Sequence, residues 1–172
     1  SYLSGLVLLG FALSLLPVFY LAGYVHATGD DYHYGAMAHW AWQDTHSLWQ
    51  TLKASAENTR AFWHGWQGTW FTIFWMGLQP EVFSPNAYWI VPIFMVGINV
   101  LCTSVLTRYC MVQKLGLPVE GWIVINTTVL FLTLQFIPST KSGIFWWNGT
   151  AHYIIPYCLA MLAVWCFFRY ID

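Results

Sequence analysis

The 172 residues are 58% hydrophobic and only 8% charged, against ~25% charged in ordinary soluble domains; so small a polar supply cannot cover a water-soluble fold. Six Lys+Arg against seven Asp+Glu leave a net charge of -1. With no basic field to drive counterion release, nucleic acid is excluded as a main partner.

Aromatic residues reach 20%, with 12 Trp, as in helices that end in interfacial aromatic belts. These proportions predict an all-α, polytopic membrane protein: one membrane domain over residues 1–172, with about four transmembrane helices and amphipathic interfacial helices in a long outer loop.

A span needs about 20 apolar residues. The first is predicted at about 2–25, uncharged throughout, with Pro17 as a kink point. It is longer than a signal-peptide core and lacks a basic leader, so it reads as a retained anchor. The outer segment 26–87 carries helix-like stretches at about 34–53 and 59–77. Within it, residues 69–78 are apolar but short for a span, as expected of an interfacial or re-entrant helix. A crossing at 67–83 is the alternative topology, and it would invert everything after it. Further spans are predicted at about 88–112, 121–138 and 153–170, the third bounded by Pro118 and Pro138.

Arg108, Lys114 and Arg169 lie close to span ends and predict a cytoplasmic side there and at the N-terminus. Segments 26–87 and 139–152 then face outward, although Lys53, Arg60 and Lys141 in them run against the rule. Cys102, Cys110, Cys158 and Cys166 sit in apolar runs without CxxC spacing and read as packing residues.

Two segments carry candidate chemistry. Thr28-Gly-Asp-Asp-Tyr-His-Tyr-Gly35 follows the first span directly, where low dielectric makes an unpaired carboxylate costly. Two readings of Asp30 and Asp31 stay open. One is a general base, or an oxygen-ligand pair for a divalent metal such as Mg or Mn. The other is a turn and helix N-cap. The second segment is Lys141-Ser-Gly-Ile-Phe-Trp-Trp-Asn-Gly-Thr-Ala-His152. Lys141 could neutralise a phosphate, Trp146 and Trp147 could stack on a sugar or lie along an isoprenoid, and Asn148 and His152 supply donors and acceptors. Its plainer reading is an aromatic belt with a loop closed at Gly149. Asn148-Gly-Thr150 also fits the N-glycosylation pattern, which is frequent by chance. Arg60 is a second candidate phosphate-binding cation. Five of the six histidines fall in the outer segment, but His39 and His46 are seven apart, not the four of a helical metal pair.

Gly29-Asp-Asp-Tyr32, Gln67-Gly-Thr-Trp-Phe71 with Leu78-Gln-Pro-Glu-Val-Phe83, and Phe145-Trp-Trp-Asn-Gly-Thr-Ala-His-Tyr153 together resemble the N-terminal part of a poorly characterised bacterial family of GT-C class integral-membrane glycosyltransferases. The resemblance implies an inner-membrane enzyme that moves a sugar from a polyprenyl-phosphate donor to a glycan or lipid acceptor on the outer side. It implies Asp30 as the base and Asp31 as the carboxylate that orients it or binds a metal. Tyr32, Arg60, Lys141, Trp146, Trp147, Asn148 and His152 are the candidate donor-binding residues. Such enzymes usually have at least about twice as many spans, so the chain is expected to be a piece of a larger protein. Two other classes compete. One is a non-catalytic small subunit packed against a membrane-protein partner, and the other is a lipid-linked-sugar transporter using Asn99, Asn126 and Gln135 within the spans.

Overall fold

The computed structural model describes residues 2–172, and every regular element among them is helical. α1 (Tyr2–Ala22) leads into a group of α2 (Asp30–Thr45), α3 (Leu48–Gly65) and α4 (Trp70–Met76). α5 (Ile90–Arg108) continues as a π-helical turn to Lys114, and α6 (Val119–Gln135) follows. A π-helical segment (Lys141–Phe145) then precedes α7 (Trp147–Gly149), which runs through another π-turn (Thr150–Ile154) into α8 (Ile155–Ile171).

Three helical stretches are long and apolar enough to cross a membrane: Tyr2–Ala22, Ile90–Lys114 and Trp147–Ile171. α6 is as apolar but has 17 residues, roughly 26 Å at helical rise, a little less than a ~30 Å hydrocarbon core. It stops short of the expected 138 because Pro138 disfavours helix at the residue before it. α1 packs on α6, while α5 packs on both α6 and α8. The starts of α5 and the last stretch lie together, since the Trp147 N–H donates to the Tyr88 hydroxyl at 2.9 Å. Their ends also meet, through Lys114 and Asp172. The four long helices therefore alternate in direction.

Polar residues inside the bundle act as clamps. Gln135 Nε2 donates to the Ser14 carbonyl and hydroxyl at 3.1 and 3.0 Å, tying α6 to α1. Asn126 donates to Ser104 at 2.9 Å and accepts from Thr107 at 2.7 Å, tying α6 to α5. Interhelical hydrogen bonds of this kind hold helices together where no hydrophobic force separates protein from lipid. Both residues are thereby occupied in packing rather than lining a path. The apolar core between the helices gathers Leu15, Met95, Val96, Leu134 and Ile144.

Two expectations need correction. The stretches 34–53 and 59–77 are in fact three helices, broken at His46 and at Trp66. His46 takes a left-handed conformation (φ 47°), and the Ser47 hydroxyl accepts from the Gln50 N–H to start α3. Segment 139–152 is not a loop, because helix begins at Lys141 and the last long stretch starts at Trp147. Asn148, Thr150 and His152 thus lie on its first turns. The π-turn sits just ahead of Pro156, which has no N–H to return to the preceding turn. α4, seven residues long, packs against α7 and the turn after it, so it stays at the end of the bundle that holds Trp147.

α3 is amphipathic in the inverse sense to a water-facing helix. It buries Thr51, Ser55, Asn58 and Thr59, and exposes Leu48, Trp49 and Trp63. Small polar residues let it approach its neighbours closely. Ser55 donates to the Phe74 carbonyl at 2.8 Å, and Asn58 donates to the Tyr34 carbonyl at 3.1 Å. Gly77 has no side chain to obstruct Ser55. That arrangement suits an apolar or interfacial surrounding.

Candidate functional site at one end of the bundle

α2 opens with two carboxylates, and adjacent helical residues point roughly 100° apart, so they meet different surroundings. Asp31 shares its face with Gly35 and Ala38, both buried, and is itself fully buried. Its Oδ2 accepts from the Thr28 N–H at 3.1 Å and from the Tyr88 hydroxyl in a short hydrogen bond. Its Oδ1 accepts from the Asn148 N–H at 3.3 Å. Tyr88 in turn takes the Trp147 N–H. One carboxylate therefore joins the start of α2, the start of α5 and the start of the last helix. Burial holds the Asp31 carboxyl above the usual carboxylate range, with the Asp30 charge adding to the rise. The Tyr88, Thr28 and Asn148 donors pull the other way.

Asp30 is exposed and lines a 170 Å³ cavity with Tyr34, Gln67, Trp146, Asn148 and His152 among its walls. Burial and the Asp30 charge hold the Tyr34 hydroxyl above its ordinary range, so it remains a donor. The most informative wall is Asn148. It is 2% exposed, yet neither its amide nitrogen nor its oxygen has a hydrogen-bond partner. The Nδ1 of His152 is buried and unpartnered as well. An unsatisfied buried polar group costs about 1–3 kcal/mol. Both residues line a cavity beside a carboxylate, and a polar ligand that reached these atoms would complete them.

The two segments singled out in the sequence thus meet, but not every candidate joins the cavity. Asp30, Trp146, Asn148 and His152 line it. Tyr32, about 200° around α2 from Asp30, lines a different cleft. Trp147 is buried against Ala27, Tyr88 and Val91, and its indole N–H donates to the Trp75 carbonyl at 2.7 Å, so its ring serves packing. Arg60 and Lys141 are exposed and are not among the lining residues. The Asn148-Gly-Thr150 pattern is too buried for a glycosylating enzyme to reach.

A divalent metal does not fit the acidic pair as it stands. N–H and O–H donors occupy both Asp31 oxygens inside a closed pocket, which leaves Asp30 as the one carboxylate facing the cavity. No group of three or more His, Cys, Asp or Glu with metal-binding geometry occurs among the described residues. Tyr88 is the functional neighbour that sequence reading misses, since a tyrosine at the start of a span looks like any belt aromatic. Tyr34 could have been found from its spacing, four residues after Asp30 and so on the same helical face. Compared with family models, with curated proteins and with solved structures, the chain matches none.

Proposed function

We propose that this chain is part of an integral-membrane glycosyltransferase that uses a polyprenyl-phosphate-linked sugar. Its N-terminus would be cytoplasmic and the Asp30 cavity would lie on the outer face of a bacterial inner membrane. The observation that carries the reading is the cavity that unites Asp30 with the unpartnered Asn148 amide and His152 at one end of an apolar helical bundle. In the reaction, the acceptor hydroxyl oxygen attacks the anomeric carbon while Asp30 takes its proton. The bond from that carbon to the phosphate oxygen breaks, and the electron pair leaves on the lipid phosphate. Donors that strengthen as this charge grows lower the barrier. The Asn148 amide N–H and the Tyr34 hydroxyl are the donors at hand, and His152 can hold a sugar hydroxyl. Asp31 acts as a positioning residue, fixing the backbone that carries Asp30 and Asn148.

The test is transfer from a polyprenyl-phosphate sugar in vesicles bearing the full natural protein. Asp30→Asn keeps size and hydrogen bonding but cannot accept the proton, and is expected to lower turnover by ~10²–10⁴-fold with unchanged thermal stability. Undiminished turnover in that variant would remove Asp30 as the base.

A second reading rests on α1, which leaves Leu6, Leu9, Leu13 and Leu16 uncovered. That face suits lipid or further helices of a larger assembly, in which the chain would be a non-catalytic subunit. Such a role predicts a fixed membrane-protein partner on mild detergent extraction and no effect of Asp30→Asn on the assembly.

A further inference from the structure

A second and larger cleft, of 370 Å³, lies across α2 from Asp30, with Tyr32, His39, Trp40, Gln79, Glu81 and Pro85 among its walls. Its construction differs from that of the first. Tyr32 and Trp40 are 59% and 64% exposed and form aromatic walls at its rim. The floor is polar. Gln79 is 4% exposed, and its Oε1 accepts from the Glu81 N–H at 2.7 Å. The Glu81 side chain is 11% exposed. Its Oε2 accepts from the Ala27 N–H at 3.3 Å, and its Oε1 stands 3.7 Å from His26 Nδ1, beyond hydrogen-bond reach. Gly35 also lines the cleft, where a Cβ would come to contact distance, 3.4 Å, of the Gln79 and Val82 side chains.

We infer that this cleft is a saccharide-binding subsite that takes one or two neutral sugar rings. Aromatic walls match the C–H faces of a pyranose, while the Gln79 amide donor, the Glu81 acceptor and the His39 imidazole match its hydroxyl edge. The competing occupants fit less well. An acyl chain would press hydrocarbon against the Gln79 amide, the Glu81 carboxylate and the His39 imidazole, at the usual cost of desolvating polar groups. A phosphate would meet the Glu81 carboxylate. The cleft lies on the opposite helical face from Asp30, so it binds without catalysing. It would hold a distal ring of a chain whose reactive end lies elsewhere, and it stands whether or not Asp30 is the base.

The experiment is saturation-transfer NMR on the full chain in lipid nanodiscs, free of glycoside detergents. The probes are the methyl glycosides of glucose and N-acetylglucosamine, with phosphocholine as the control. Expected are saturable signals from the ring C–H protons of a glycoside with the native chain and equally with Asp30→Asn. Trp40→Ala and Tyr32→Ala, both at exposed positions, should each weaken binding roughly fivefold to tenfold. Absence of saturable binding by either glycoside would overturn the assignment, as would binding that both variants leave unchanged. Displacement of the glycoside signal by phosphocholine would assign the cleft to a lipid headgroup instead. Loss of transfer in Asp30→Asn with glycoside binding retained separates this subsite from the catalytic reading.

Discussion

Tyr88→Phe deletes a single oxygen, and its effect can be worked from the contacts that oxygen makes. The hydroxyl donates to Asp31 and accepts from the Trp147 N–H at 2.9 Å, all within a buried pocket. A hydrogen bond to a charged group contributes about 1.5–3 kcal/mol, and an orphaned buried N–H costs about 1–3 kcal/mol. The two losses share one atom and do not add fully. Asp31 keeps its Thr28 and Asn148 donors, so the expected destabilisation is about 3 kcal/mol. For a chain of this size that corresponds to roughly 6–12 °C in Tm. The assay is thermal unfolding of the purified variant in nanodiscs, with Tyr32→Phe, at an exposed residue, as the control. Combining Tyr88→Phe with Asp31→Asn should cost less than the sum of the two single changes, because both cut the same bond. A Tm within about 2 °C of the native value would show that the three helix starts are held together by something other than this network.

The Asp31 carboxyl, held above its unfolded value by burial, binds its proton more tightly folded than unfolded. Stability should therefore fall as pH rises from the unfolded carboxylate pKa through the raised folded one, and Asp31→Asn should flatten that slope in Tm against pH. A slope that survives in Asp31→Asn would belong to another group. At Gly149 a Cβ would collide with the Ser142 carbonyl, so Gly149→Ala should cost about 1–3 kcal/mol by overpacking. An unchanged Tm in Gly149→Ala would mean that the approach of these two segments is not fixed. Asn126→Ala cuts the clamp between α5 and α6 and should cost about 0.6–2 kcal/mol, readable as faster unfolding in mixed micelles. A gain in stability would argue against that clamp.

The long helices were legible because uncharged apolar runs of span length have few alternatives, and α1 and the stretch from Ile90 to Lys114 begin and end within about three residues of where hydropathy puts them. α6 and the last stretch were less so, since Pro138 and Pro156 act on backbone hydrogen bonds that a hydropathy average does not see. The break at His46-Ser47 left a signal in the N-cap preference of serine, masked by the apolar residues on either side. The meeting of the Asp30 and Asn148 segments was legible as an expectation about sidedness. Which aspartate faces the cavity was not, because helical phase depends on where the helix starts. The buried pair Gly35 and Ala38, four and seven residues after Asp31, marks the close-packed face. Arg60 and Lys141 drew notice as rare cations, yet flexible exposed side chains are the ones whose partners sequence specifies least.

The π-turn at Thr150–Ile154 sets the bearing of the cavity wall. Asn148, His152 and Tyr153 all line the cavity, whereas in regular α-helix consecutive residues such as His152 and Tyr153 diverge by roughly 100°. The widened turn folds one extra residue into the same arc, and Pro156, which is not among the lining residues, favours that widening by withholding an N–H. Ligand-facing geometry is in this sense encoded at a distance, by a hydrogen bond that cannot form. Pro156→Ala would restore the missing donor and let the turn rewind, swinging His152 and Tyr153 relative to Asn148, which Asp31 anchors, without altering any residue that a ligand would touch.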